Sequence, residues 1–67
     1  MVDRVNYKAL VDITDRYKYI GEARPGVATS RAKWRILRID LQTNECLWAE
    51  SGEHQVTWDD RVGHAYA

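Results

Sequence analysis

The segment Ala32-Lys33-Trp34-Arg35-Ile36-Leu37-Arg38-Ile39-Asp40-Leu41 constrains the fold more than any other, because its large apolar residues fall on both parities. Side chains on a strand alternate between faces. Trp34 and Ile36 therefore share one face, and Leu37, Ile39 and Leu41 share the other. A strand with one wet face would keep a single parity. The switch predicts either a bulge near Ile36 and Leu37 or a strand covered on both faces. A helix would instead gather Trp34, Leu37, Leu41 and Trp48 on one side, but Thr43-Asn44 interrupts that stripe and favours a hairpin.

Turn signals divide the rest of the chain. Residues 16–23 alternate and then run apolar through Tyr17, Tyr19 and Ile20, which predicts a strand. Gly21 and the run Ala23-Arg24-Pro25-Gly26 predict a turn or loop, with Pro25 fixing φ and Gly26 supplying a positive one. Residues 42–45 form the next turn, with Asn44 as its left-handed residue. Residues 46–49 make the return strand, 51–54 a further turn, 55–58 another short strand, and Ala65-Tyr66 a closing edge strand. Within residues 1–20, Val2, Val5, Ala9, Ile13, Tyr17 and Ile20 recur at spacings of three and four, so residues 1–12 are expected as a short helix or an arm. The expected fold is mainly β, a small antiparallel sheet of four to five short strands.

At 67 residues the chain is expected to be one domain, residues 1–15 an N-terminal arm or short helix and residues 16–67 the β domain. A chain of this size hides only about 60% of the surface that its unfolded form exposes, so its core is thin. Such domains usually gain stability from disulfides, a metal or other subunits. The single cysteine, Cys46, excludes an internal disulfide and suits a reducing compartment or a packed position. That leaves self-association as the expected stabiliser. Ten basic and ten acidic residues balance, and near-zero net charge lowers the barrier to association. No membrane span or signal-peptide apolar region is expected.

Site chemistry is sparse. Ser30, Ser51, His54 and His64 stand in no nucleophile motif, and Asp59-Asp60 reads as a turn beside Arg61, so no enzyme activity is expected. His54, His64 and Cys46 lack the paired spacing of a zinc site. The Gly21–Gly26 stretch lacks the lysine of a P-loop. No metal or cofactor is expected. The alternative to a structural role is nucleic-acid binding. Arg31, Lys33, Arg35 and Arg38 surround Trp34, as in a stacking platform for a single strand. The neutral charge disfavours it, and a chain this small needs its tryptophans for the core.

Tyr19-Ile20-Gly21-Glu22-Ala23, Pro25-Gly26, Thr29-Ser30, Trp34-Arg35-Ile36, Trp48-Ala49, Trp58-Asp59-Asp60-Arg61 and the closing Tyr66 resemble a small β domain of tailed-bacteriophage structural proteins. The resemblance leaves out residues 1–15, and the polar loop after Trp48-Ala49 is shortened to residues 50–55. It implies a non-enzymatic component of the virion, from the tail, a fibre or the neck, made in the bacterial cytoplasm. It also implies a homo-oligomer, a trimer ahead of a dimer, that meets other virion proteins. Trp34, Ile36, Leu37, Ile39, Leu41, Trp48 and Trp58 would pack the core or the subunit contact. Gly21, Pro25 and Gly26 would fix turns, and Asp59 and Arg61 would pin the last one by a local ion pair or backbone hydrogen bonds.

Overall fold

The computed structural model describes residues 8–50 and 52–67. Four antiparallel strands, β1 (Lys8–Ile13), β2 (Tyr17–Ala23), β3 (Arg35–Asp40) and β4 (Cys46–Trp48), follow one another in a single sheet in chain order. The fold is mainly β, and no helix occurs among the described residues.

Local chemistry sets each connection. Between β1 and β2, the Thr14 hydroxyl accepts the Tyr17 N–H at 3.0 Å while the Thr14 N–H donates to the Tyr17 carbonyl at 2.8 Å. After β2, Gly26 takes φ 87° and the Val27 N–H closes back on the Arg24 carbonyl at 3.3 Å, as a Pro-Gly turn requires. Between β3 and β4, Asn44 adopts φ 62°, a conformation that asparagine tolerates better than most residues.

Register decides what each face carries. Tyr17–Glu22 faces Asp40–Arg35 without a break. Of the two expected alternatives the bulge near Ile36 and Leu37 is therefore absent, and the two parities of β3 go to the two faces of a regular sheet. One face presents Leu10, Gly21 and Ile36 in a cross-strand row, with Tyr19, Ala23 and Trp34 beside it.

Residues 53–67 return over this face. Val56 and Trp34 exchange both backbone hydrogen bonds, at 2.9 and 3.1 Å. Ala67 does the same with Trp48, and Tyr66 bridges to Ala49, which closes the outer edge of β4. Tyr19, Ala23, Trp34, Ile36, Ala49, Val56 and Trp58 form the buried core, with Leu10, Tyr17, Val27 and Tyr66 packed against it. The rings of Trp34 and Trp58 lie 5.9 Å apart at 39°.

Several expectations are corrected. Residues 8–13 are a strand, not a helix, because they pair with β2 along their whole length; Val2 and Val5 lie outside the described residues, as does Ser51 of the expected 51–54 turn. Residues 55–58 form a single bridge at Val56 in place of a strand, and Ala65-Tyr66 likewise contributes one bridge. Leu41 is 44% exposed just beyond β3. Trp34 and Trp48, which a helix would have put on one side, lie on opposite faces. The Cys46 thiol is exposed instead of packed.

Candidate functional site

The second face of the sheet is the unusual surface. Val11 faces Ile20, Ile20 faces Leu37, and Leu37 faces Trp48, so one apolar row crosses all four strands. A flanking row runs Ile13, Lys18, Ile39 and Cys46, and the row on the other side places Ala9 against Glu22 and Arg35. None of these residues belongs to the core cluster. Val11 and Ile13 are 55% and 64% exposed, while Ile20, Leu37, Ile39 and Trp48 are half-buried. An antiparallel sheet whose second face meets water normally alternates to polar residues there. Scattered exposed aliphatics need no explanation, but a contiguous band of them marks an interaction surface.

Charged groups frame the band. Arg35 pairs with Glu22 at 3.1 Å and lies 4.8 Å from the centre of the Trp48 ring. On the covered face, Arg38 stacks between Tyr17 and Tyr66, 4.4 and 4.5 Å from their ring centres. Arg35 and Arg38 thus occupy opposite faces, and Trp34 is fully buried. The fold separates the five members of the stacking platform weighed as the alternative and leaves only Arg31 and Lys33 exposed together. Those two line a half-open cleft with Arg24, Val27 and His54.

Of the two ways expected to pin the acidic turn, backbone hydrogen bonds are present, with the Arg61 N–H donating to the Trp58 carbonyl at 3.1 Å, and the local ion pair is not. Arg61 pairs with Asp12 of β1 at 2.9 Å, not with Asp59, and its guanidinium lies 4.7 Å from the Trp58 ring centre. The Asp59 N–H donates to the Thr29 carbonyl, and Asp60 accepts from the Thr57 hydroxyl. The Arg61–Asp12 pair ties the last turn to the first strand. The Tyr66 hydroxyl donates to the Arg61 carbonyl at 2.6 Å. Burial, followed by its neighbour Tyr19, pushes that phenol up to about 12.

At the other end of the sheet, Asp40 is 9% exposed and accepts from the Gln42 and Thr43 N–H groups and from Arg16. The Gln42 N–H, ahead of Arg16, holds its carboxyl below the usual range. No group of three or more metal-ligating side chains occurs among the described residues.

No family model, curated protein or solved structure matches this chain. The phage resemblance rests on its motif residues alone. Asp12 and Asp40 had no sequence signal as site residues, because their partners are distant in the chain. The row Val11-Ile20-Leu37-Trp48 could have been found by aligning the open parity of each strand, had residues 8–13 been read as one.

Proposed function

We propose that this chain is a non-enzymatic assembly domain that packs the open face of its sheet against further copies of itself, as a structural component of a tailed-bacteriophage virion. One observation carries the association: the apolar row Val11-Ile20-Leu37-Trp48 across a face that the core does not use. A second copy is the fitting occupant. The face bears Lys18 at one flank and Glu22 with Arg35 at the other, so it offers both signs to an identical surface. Burying the row between copies would add the apolar area that a 67-residue core lacks. Three copies around one axis is the leading arrangement, in keeping with the phage resemblance.

The virion assignment draws its support from the positions of the motif residues. Gly21 lies beneath Trp58, Pro25-Gly26 reverses the chain, Trp34 anchors the core, and Arg61 and Tyr66 lock the end of the chain. A mass-spectrometric inventory of purified particles of the encoding virus tests it. The chain should be found at a copy number that is a multiple of its oligomeric state. Its absence from the particle would sink the virion assignment, while self-association would still be decided in solution.

A further inference from the structure

We propose that the cleft between the 24–33 loop and the turn carrying His54 binds a compact phosphate-bearing anion. The cleft has a volume of about 520 Å³ and is lined by Arg24, Val27, Arg31, Lys33 and His54. A smaller hollow of about 260 Å³, lined in part by Gly26, Ala28 and again Arg31 and Lys33, adjoins it. Among the described residues, no carboxylate lines either space. Binding clefts for small molecules typically span about 300–1,000 Å³, which brackets the larger one.

What sets the three cations apart is their gathering in one concavity. Arg24, Arg31 and Lys33 line it together and, like Lys8, Lys18 and Arg38, form no ion pair among the described residues, whereas Arg16, Arg35 and Arg61 each meet an acid within 3.1 Å. Like charges gathered in one concavity repel one another and focus a positive potential, and a bound anion relieves both. Arginine forks suit phosphate oxygens because they present paired N–H donors.

The loop is also held in place before any ligand arrives. The Ala28 carbonyl accepts the indole N–H of buried Trp34 at 3.0 Å and the Arg31 N–H at 3.0 Å. The Thr29 carbonyl accepts the N–H groups of Trp58 and Asp59. His54 stands two residues before Val56, which is itself bonded to Trp34. The cleft walls therefore hang from the two core tryptophans, and preorganisation lowers the ordering cost of binding. None of the described residues that line the cleft is aromatic, so they offer no stacking surface of the kind that a single strand uses. A compact oligophosphate fits better than an extended nucleic acid. The site shares no residue with the apolar row, so it stands independently of the assembly reading.

The test is titration of the full chain with inorganic tripolyphosphate, followed by calorimetry and by backbone amide NMR. Saturable one-site binding is expected, with shift changes confined to residues 24–33 and 52–56. The double variant Arg31→Ala, Lys33→Ala should weaken it by roughly tenfold or more. Arg16→Gln, which removes one cation at the Asp40 end of the sheet, should leave it unchanged. Three results would overturn the proposal: no saturable binding, equal weakening by Arg16→Gln, or tighter binding of a thymidine oligonucleotide than of tripolyphosphate. The last would mark a nucleic-acid site. The NMR map decides the location even if the double variant folds poorly.

Discussion

At the residue scale, Gly21 and Trp58 make the fold's tightest fit. A Cβ built on Gly21 would fall 2.6 Å from Trp58 Cζ3 and closer still to Cε3. The glycine is needed there because the ring lies flush on the β2 backbone. Gly21→Ala must push the ring aside, and overpacking of this kind costs about 1–3 kcal/mol. Trp58→Ala removes the ring itself and should cost about 3–5 kcal/mol. A small domain has little more than that to lose, so cooperative melting should collapse. By contrast, Lys33→Ala alters an exposed side chain and should shift stability by no more than about 0.5 kcal/mol. Thermal melts of the three variants check the ranking. Asp40 supplies a pH signature. Its folded value lies below the unfolded one of about 3.9. Its stabilisation is therefore complete above that pH and is lost as pH falls through the folded value. Asp40→Asn should melt below the parent at neutral pH, and the gap should close in acid. A gap that stayed constant with pH would remove the carboxylate from the account.

At the element scale, β3 explains both what was legible in the sequence and what was not. The double parity of residues 34–41 announces a strand apolar on both sides, and Asn44 announces the turn after it; both signals are local. β1 was masked because Ala9 and Ile13 fall at helical spacing with Val2 and Val5, while its strand character comes from pairing with β2. The basic cleft was hidden for a similar reason. Arg24 is separated from Arg31 and Lys33 by the Pro25-Gly26 turn, and only the anchoring of Ala28 and Thr29 by Trp34 and Trp58 brings them together. Meanwhile Arg35 and Arg38 are close in sequence to Arg31 and Lys33, yet they lie on opposite faces of the sheet and outside the cleft. The open face yields a prediction of its own. Leu37 sits centrally in its apolar row, so Leu37→Lys should abolish self-association while the monomer still melts cooperatively. Cys46 lies in the flanking row beside Ile39. Its thiol should react more slowly with a disulfide reagent as protein concentration rises, and Leu37→Lys should remove that dependence. A labelling rate independent of concentration in the parent would argue that this flank stays uncovered.

At the scale of the whole molecule, the described residues build one sheet with an apolar row on each face. Residues 53–67 cover the Trp34 and Ile36 face and seal the edge of β4. The Val11-Ile20-Leu37-Trp48 face is the one proposed above to meet copies of the chain. Neutral net charge sets no long-range repulsion against that packing. Apolar association of this kind should persist as salt rises, whereas binding through phosphate contacts would fall steeply. Light scattering coupled to size exclusion, at micromolar concentration and at low and high salt, measures the central claim directly. The account predicts a particle of a whole multiple of the 7.8 kDa chain mass, three chains ahead of two, at both salt concentrations. A stable particle of 7.8 kDa under those conditions would contradict it, because the open apolar face would then have no occupant.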